Sequence, residues 1–527
     1  MMGIERATRS GDIRLATGQT KPEWMNGVES DALVVERAWL RVPLWIVATA
    51  ILSCWIALAV LHVGDDYRVG HGGGTWAALA ETARAGRLYP PIFDGEHYAG
   101  TRYMPLPILL NALASGAVGD PLIGGKVLAG LLTITLMALV ILVLRRVLCP
   151  WPIATALAGV VVATDTGLQA SSTIGGDLLP AVLQVCALAA IIGGRGRSVM
   201  LIAGAFAGLA IASKLTGVWA FLAITTWLVM HRRWQHAVTF SGACAGVAAL
   251  VLGSVELLTG GGLSEHLLAF SLAGVGGGNS LLRGPNQLLF NLLGHASGIV
   301  VLFPLAVLGA LLSRGWRQLP VIHVALVYSI LLLLVVYSDI GTGFNQLLDL
   351  VVLTALAAGH LAAPAASSER QVHAVLIVVV SVVVIWAAGL DLVRTLGFDL
   401  RSTVAALKAG TVPRRTVDLV AGMVRPGEQV LAEDPSIEIA LGRQPVVMDA
   451  FMLARLERAH PEKVDPLISW IDSRRFDLVV LVVSLEDPTV EFWWNDFQYG
   501  PRVAAALRKS YRPDGLVGRY FVYRPRQ

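Results

Sequence analysis

Two adjacent carboxylates, Asp65 and Asp66, follow the first long apolar run of the sequence. Ionised side chains at membrane depth are costly and usually serve a function. One member of such a pair can point into a cleft, where partial burial keeps it available as a general base. Both residues can equally be solvated residues at a helix end. A polar, glycine-rich segment, residues 69–107, comes next and favours an active site.

That polar segment carries side chains suited to a sugar-like substrate. Carboxylates accept hydrogen bonds from hydroxyl groups, and aromatic rings stack on sugar rings. The candidate substrate contacts are Asp94, Glu96, His97, Arg102 and Tyr103. An ordinary polar loop has a similar composition, so both interpretations stay open.

Two lysines lie at the ends of apolar runs. Lys126 opens the second long run, and Lys214 interrupts an otherwise apolar stretch at 199–230. A lone lysine near a membrane boundary either snorkels towards water or binds an anion. We favour a lipid phosphate as the partner of both, because other polar features accompany them.

Three further polar residues stand between or within apolar runs. Asp177 ends a polar turn that begins at Asp165, where it either caps the next helix or faces a substrate. Asn345 belongs to a later polar turn at 338–346. Asp349 falls inside an apolar run, so we expect it to face the interior of a helix bundle.

The elements that position these residues are membrane helices. The chain has 527 residues, of which 55% are hydrophobic and 15% charged. Soluble domains carry roughly 25% charged residues, so this composition indicates a polytopic membrane protein. Candidate spans of about the required length centre on 42–63, 124–144, 150–164, 178–193, 198–213, 215–230, 237–258, 296–312, 319–338, 346–364 and 372–393.

The basic loops determine the orientation of these spans, because cytoplasmic loops are enriched in Lys and Arg. They carry Arg145, Arg146, Arg195, Arg197, Arg232, Arg233, Arg314, Arg317 and Arg370. All fall on the side of the N-terminal tail if the run 104–119 does not cross. We therefore predict about eleven spans, with 104–119 as a juxtamembrane or re-entrant helix and the loop 64–123 outside the cytoplasm.

Three regions follow from this division. Residues 1–40 form a cytoplasmic tail without a signal peptide, 41–395 a transmembrane domain, and 396–527 an outer soluble domain. Strands expected at 429–432, 476–484 and 518–523 alternate with helices at 450–458 and 463–474, which indicates a small α/β domain. Its acidic residues Glu433, Asp434 and Asp449 are expected to be structural.

Two outer segments allow alternative interpretations. Residues 75–84 have helical spacing and form either an interfacial helix or a helix packed on the membrane domain. The loop 259–295 contains glycine clusters at 260–262 and 276–278, and serves either as a lid or as a connector.

Several classes of function find no support. The four cysteines form no CxxC pair, so neither a disulfide framework nor a zinc site is indicated. The net charge of +4 is small for this length, and we expect no nucleic-acid partner. No convincing cluster of metal ligands is visible, and we assign no metal-binding residue.

The chain resembles the bacterial GT-C glycosyltransferases of family 39 and the aminoarabinose-transferase group. The resemblance depends on the acidic pair, on Gly-Arg-Leu-Tyr-Pro at 86–90, on Tyr-Met-Pro at 103–105, on Lys126, and on Gly-Thr-Gly-Phe-Asn at 341–345. It covers about residues 42–395. Many relatives have Asp-Glu where this chain has Asp65-Asp66.

The resemblance implies an inverting glycosyltransferase of the bacterial plasma membrane, with its active site outside the cytoplasm. Its donor would be a polyprenyl-phosphate sugar, and its acceptor a glycan, lipid or protein. Asp65 would be the base, and Asp66 would orient the acceptor or share that role. Lys126, Lys214 and Arg102 would neutralise the leaving phosphate, and Tyr89 would join the substrate contacts. Metal dependence varies among relatives, so a divalent ion stays open.

Two other functions are compatible with parts of the sequence. A transporter or flippase of a lipid-linked or amphiphilic substrate would also use charged residues, but near the bilayer midplane. Here most acids cluster at one face that a soluble domain caps, which favours an enzyme. A scaffold for envelope enzymes would explain the outer domain but not the acidic first loop.

Overall fold

A computed structural model describes residues 38–69, 71–194, 196–271, 283–313, 319–339, 341–364, 370–409 and 415–527. Elements are numbered from the first described helix. Nearly all of the expected cytoplasmic tail, at 1–37, lies outside the described residues, as do the glycine cluster 276–278 and Arg195, Arg314 and Arg317.

Each expected apolar run coincides with a helix. These helices are α1 (Ala38–Leu61), α4 (Pro121–Arg146), α5 (Trp151–Ala163), α7 (Leu178–Gly193), α8 (Arg197–Ser213), α9 (Trp219–Met230), α10 (Trp234–Leu258), α13 (Ser297–Leu311), α14 (Val321–Val336), α15 (Leu348–Leu361) and α16 (Arg370–Asp391).

Fewer of these helices than the expected eleven are long enough to cross a membrane. Five described helices are long and apolar enough to span, and up to seven do so if each of two bent pairs is one span. One bent pair is α5 with α6 (Asp165–Ser172), at 73°, and the other is α12 (Arg283–His295) with α13, at 115°. A helix rises 1.5 Å per residue, so 12–17 residues fall short of hydrocarbon about 30 Å thick. The protein is a helical membrane protein, and the expected count of eleven spans stays a prediction.

Small residues let the membrane helices pack closely. A Cβ atom on Gly204 of α8 would lie 2.4 Å from the carbonyl oxygen of Phe240 in α10, and one on Gly208 would lie 2.5 Å from that of Cys244. This spacing of four residues brings two helix backbones together, as is typical of membrane interiors. The helix α15, together with the turn before it, lies at the centre of the bundle, since 72% of the residues in Phe344–Leu361 are buried.

Shorter helices cover one end of the bundle. They are α2 (His71–Arg84), α3 (Pro105–Val118), α6, α11 (Gly262–Ser271) and α12. The expected helices at 75–84 and 104–119 are thereby confirmed. The side chain of Asp120 accepts hydrogen bonds from the backbone of Leu122 and Ile123, so it caps α4 directly after α3 ends.

The last membrane helix continues without a break beyond the expected span 372–393. A π-helical turn, Leu392–Leu396, joins α16 to α17 (Gly397–Lys408). Because of this continuation, α17 reaches the residues that follow α1, where Thr403 contacts His62 at 2.8 Å.

The C-terminal part forms the expected small α/β domain, here called the outer domain after the side of the membrane that is predicted for it. Its sheet has the order β1-β2-β4-β3, in which β1 pairs parallel with β2 and the other pairs are antiparallel. The strands are β1 (Val430–Ala432), β2 (Leu478–Leu481), β3 (Tyr511–Val517) and β4 (Tyr520–Pro525). The helices are α18 (Thr416–Ala421), α19 (Ser436–Ala440), α20 (Ala450–Ala459), α21 (Asp465–Asp472) and α22 (Pro501–Ser510). The strand β3 was missed, because its middle residues are exposed and polar.

The outer domain packs on the polar end of the bundle. Tyr98 donates its backbone N–H to Val446 of the outer domain, at 2.8 Å, and accepts from Met448, at 2.9 Å. Arg455 of α20 pairs with Asp339 after α14. The polar segments expected on one face therefore do gather at one end, under one domain.

Candidate active site

The residues after α1, here called the exit turn (62–69), hold a buried ionic cluster. The Asp65 carboxylate is hydrogen-bonded to His62 Nδ1, at 2.6 Å, and to the backbone N–H of Tyr67, at 2.9 Å. Lys126 Nζ lies 3.6 Å from Asp65 Oδ1 and donates to the carbonyl oxygens of His62 and Asp65, each at 2.7 Å. Two of the predicted site residues, Asp65 and Lys126, are thus brought together by helices α1 and α4.

Asp65 is held in its ionised form by this cluster. The residue is only 5% exposed, and burial by itself raises the pKa of the carboxyl. The hydrogen bonds from His62 and Tyr67, with the charges of His62 and Lys126, outweigh burial and lower the pKa below its usual range. Asp65 is therefore a carboxylate at neutral pH.

Asp66 has different surroundings from its neighbour. Its Oδ2 accepts a hydrogen bond from the backbone N–H of Thr416, at 3.1 Å, and lies 3.9 Å from Arg519 Nε. Both partners belong to the outer domain. The two carboxylates therefore face different regions: Asp65 faces the bundle, and Asp66 faces the outer domain.

Arg68 organises a second group of charges, which the sequence analysis missed. Its guanidinium pairs with Asp165 at the start of α6, at 2.5 Å, and with Asp399 of α17, at 2.7 Å. His295 Nδ1 contacts the other oxygen of Asp165, at 2.6 Å. An arginine two residues after an acidic pair was the available signal, but only the fold brings Asp399 next to it.

A third group, here called the Asp177 cluster, joins Asp177, Lys214 and Asn345. Lys214 Nζ lies 2.6 Å from Asp177 Oδ1, and Asn345 Nδ2 donates to Asp177 Oδ2 at 2.9 Å. Asp177 makes no side-chain cap with the helix it precedes. The helix-cap alternative is therefore wrong, and three predicted site residues from three separate segments meet here.

A narrow cleft of about 20 Å³ lies beside Asp177 of this cluster. Its polar wall includes Asn111, Thr173 and Asp177, and its apolar wall includes Leu128 and Leu132 of α4. Gly125, the residue before Lys126, also lines it. The cleft therefore has a polar end and an apolar side that continues along a membrane helix.

A second cavity lies among α9, α14 and α15. It is lined by Thr216, Trp219, Ser329, Gln346 and Asp349, together with apolar residues of α14. The prediction that Asp349 faces the bundle interior is thereby confirmed.

Arg102 and Tyr103 connect the first outer loop with the outer domain. Arg102 pairs with Asp339 at 3.2 Å and lies 5.1 Å above the ring of Phe451. Tyr103 packs against Trp76, with the ring centroids 4.4 Å apart and the ring planes tilted by 32°. Burial raises the pKa of the Tyr103 hydroxyl, and the charges of Asp449 and Asp177 add to this effect. Tyr103 thus lies within electrostatic range of the Asp177 cluster.

The remaining predicted contacts have local partners. Asp94 Oδ1 accepts from the backbone of Glu96, at 2.9 Å, and of His97, at 2.7 Å, so these three residues form a turn. The hydroxyl of Tyr89 donates to the carbonyl of Tyr103 at 2.7 Å. The contacts of Asp94, Glu96 and His97 are with one another. They do not reach the ionic cluster around Asp65 or the Asp177 cluster.

A metal site requires several His, Cys, Asp or Glu side chains close together. Among the residues that the structure describes, no three such side chains come together in a way that would hold one ion.

No family model and no curated protein matches the sequence. The fold, in contrast, is similar to that of solved membrane proteins. ArnT from Cupriavidus metallidurans bound to undecaprenyl phosphate matches with a TM-score of 0.57 at 15% identity, over 91% of this chain and 97% of that chain. The same protein in the apo state gives 0.55 at 16% identity, over 90% and 98%.

An archaeal protein shares the architecture more distantly. The oligosaccharyltransferase of Archaeoglobus fulgidus in the apo form matches with a TM-score of 0.50 at 13% identity, over 93% of this chain and 75% of that chain. These likenesses establish the fold that the resemblance to GT-C glycosyltransferases predicted. At this identity they establish the fold alone.

Proposed function

We propose that the protein is an inverting glycosyltransferase that moves a sugar from a polyprenyl-phosphate donor to an acceptor outside the cytoplasm. The observation that carries the proposal is the narrow cleft beside Asp177, whose carboxylate binds Lys214 and which has α4 along its apolar side. A lipid phosphate needs both a cation and an apolar channel in one place. The ArnT structure with undecaprenyl phosphate, whose fold this chain shares, supports the same assignment.

The acceptor is activated by a carboxylate in this proposal. Asp65 accepts the proton of the acceptor hydroxyl as the oxygen attacks the anomeric carbon of the sugar. Asp65 is in the form that this role requires, since its pKa lies below the usual range and the carboxyl is ionised at neutral pH. Asp66 orients the acceptor, since it faces the outer domain.

The leaving phosphate is neutralised by lysines. The bond from the anomeric carbon to the phosphate oxygen breaks as the new bond forms on the opposite face, so the configuration inverts. Lys214 exchanges Asp177 for the phosphate through charge-assisted contacts. Lys126 and Arg102 contribute positive charge from either side, and Tyr89, Tyr103 and Asn345 line the substrate site. Asp94, Glu96 and His97 would contact an acceptor only at its outer edge.

The experiment replaces each acid by its neutral isostere and measures transfer of a labelled sugar. Asp65→Asn keeps the shape of the side chain but removes the base, so kcat should fall by a factor on the order of 10²–10⁴. Asp66→Asn should mainly raise KM for the acceptor. The purified protein would be assayed with radiolabelled polyprenyl-phosphate sugars and an envelope extract as the source of acceptor.

A matched control is Glu81→Gln, since Glu81 pairs with Arg84 on the surface of α2. This variant should keep the wild-type rate. Unchanged turnover in Asp65→Asn would exclude the carboxylate-base mechanism. Movement of the intact lipid-linked substrate across vesicles, without transfer of sugar, would instead support a transporter or flippase.

A further inference from the structure

The turn between β3 and β4 inserts against the exit turn. It consists of two residues, Gly518 and Arg519, and Gly518 has a φ of +60°. Hairpin turns of two residues often require glycine for this reason. A Cβ atom on Gly518 would lie 1.9 Å from Thr416 Cγ2, so only glycine fits there. The tip of the hairpin is therefore pressed against Thr416, the residue whose N–H binds Asp66.

Arg519 connects this hairpin to the exit turn and to the buried centre of the outer domain. Its Nη1 donates to the carbonyl oxygen of Val69 in the exit turn. Its Nη2 donates to Asp434 Oδ2 at 3.2 Å and to the hydroxyl of Tyr520 at 2.8 Å. Its Nε points towards Asp66 Oδ2 at 3.9 Å.

The Asp434 carboxylate, which binds Arg519, is held rigidly. The side chain of Asp434 has an exposure of 0%, and it accepts hydrogen bonds from the Tyr520 hydroxyl, at 2.6 Å, and from Ser436. A Cβ atom on Gly74 of α2 would lie 2.0 Å from Asp434 Oδ1, so the carboxylate is in direct contact with a helix of the membrane domain. Because the carboxylate cannot move, the guanidinium that it binds is also fixed in place.

The Arg519 Nε–H is buried and makes no hydrogen bond with any described residue, although it faces an acidic oxygen. A buried donor without a partner is costly. The two strong contacts at Nη1 and Nη2 hold it there, next to Asp66.

We propose that Arg519 is a positioning residue that fixes Asp66 for the transfer reaction. This inference rests on the proposed function, because it assigns Asp66 to the acceptor. Arg519 acts through the Val69 carbonyl and through its charge beside Asp66. The outer domain thereby completes the active site, in addition to covering it.

The test compares Arg519→Ala and Arg519→Lys with Arg524→Ala, all in the full-length protein. Arg524 is the matched control, since it lies on β4 of the same hairpin and pairs with Asp514 and Glu428 instead. Hydrogen–deuterium exchange, read by mass spectrometry, would report on residues 66–69 without any substrate. We expect exchange there to rise at least fivefold in Arg519→Ala and to stay at the wild-type rate in Arg524→Ala.

Turnover of a polyprenyl-phosphate sugar provides the second readout. Arg519→Ala should lower kcat at least tenfold while KM for the lipid donor stays within a factor of two. Arg519→Lys should recover part of the rate, because it keeps the charge beside Asp66. Gly518→Ala, which displaces the turn without removing a charge, should reproduce the increase in exchange.

The possible outcomes separate the two proposals. Unchanged exchange at 66–69 in Arg519→Ala, or an equal loss of rate in Arg524→Ala, would overturn the positioning role. A uniform rise of exchange over the whole outer domain would also overturn it, because Arg519 would then be only structural. If the wild-type protein transfers no sugar from any polyprenyl phosphate, the proposed function fails, while the exchange data still decide the coupling of Arg519 to the exit turn.

Discussion

Buried carboxylates in this protein have pKa values shifted in opposite directions according to their partners. Asp65 is buried among a histidine, a lysine and a backbone N–H, and its pKa is lowered. Glu433 is also buried, but its hydrogen bonds from Val482 and Trp493 do not offset the loss of water, and burial raises its pKa to about 7. The first arrangement keeps a carboxylate ionised at neutral pH, and the second favours the protonated acid below about pH 7.

Glu433 predicts how the outer domain responds to pH. The pKa of an unfolded glutamate is roughly 4.3, so between that value and about 7 the folded state binds the extra proton. The stability that Glu433 contributes to the folded state is therefore fully present below the pKa of the unfolded state. It is lost, by roughly 3 kcal/mol, as the pH rises through the pKa of the folded state. The thermal unfolding midpoint should fall from pH 5 to pH 8 in the wild type, and this fall should be smaller in Glu433→Gln.

The control for this prediction is Glu462→Gln, because Glu462 has a largely exposed side chain. It should keep the pH dependence of the wild type. A Glu433→Gln variant whose midpoint falls as steeply as that of the wild type would show that other groups set the slope. Asp449, whose pKa burial raises to about 6, would be the next to test.

At the scale of elements, two helices position the exit turn: α1, which precedes the acidic pair, and α17, which follows the last membrane helix. Asp399 of α17 accepts hydrogen bonds from the Tyr67 hydroxyl, at 2.5 Å, and from Arg68, at 2.7 Å. Thr403, one turn later, contacts His62 at 2.8 Å. The exit turn, which follows the first helix of the membrane domain in the sequence, is therefore also held by the helix that follows its last one.

Asp399→Asn tests this arrangement. The change leaves Arg68 with a single carboxylate partner, and breaking a buried pair costs about 3 kcal/mol. We expect a lower thermal unfolding midpoint and a loss of turnover of at least tenfold. Asp418→Asn is the control, since the side chain of Asp418 is 58% exposed and its partner Arg415 also binds Asp120. Equal behaviour of the two variants would contradict a special role for α17.

The sequence predicted the helices better than their connections. Each predicted apolar run coincides with a helix, because burial in lipid leaves a strong compositional signal. The bend of 73° between α5 and α6 leaves no such signal, because it depends on packing against other segments. The meeting of Asp177, Lys214 and Asn345 was unpredictable for the same reason: 168 residues separate Asp177 from Asn345. Residue types proposed the candidates, and only the fold showed which of them are neighbours.

At the scale of the whole molecule, the orientation in the membrane determines which lipid pool supplies the donor. The exit turn, the Asp177 cluster and the outer domain lie at one end, and Arg145 and Arg146 lie at the opposite end of α4. An excess of arginine marks cytoplasmic loops. The active site should therefore face away from the cytoplasm.

Single cysteines test this orientation in intact cells. Glu96→Cys in the first loop and Glu462→Cys in the outer domain should react with a membrane-impermeant maleimide, whereas Leu148→Cys, exposed after α4, should not. The wild type gives the background, since Cys149 and Cys244 are buried and Cys54 and Cys186 half-buried. If only Leu148→Cys is labelled, the orientation is the opposite of the predicted one, and the proposed donor is wrong as well.

The contact between Arg519 and the exit turn joins residues 450 positions apart. A ribosome therefore releases the exit turn long before it makes the arginine that supports it. Until residue 519 has been translated and translocated, the nascent polypeptide has its acidic pair but lacks the support for Asp66. Synthesis itself would therefore keep turnover low until the hairpin of β3 and β4 has been made.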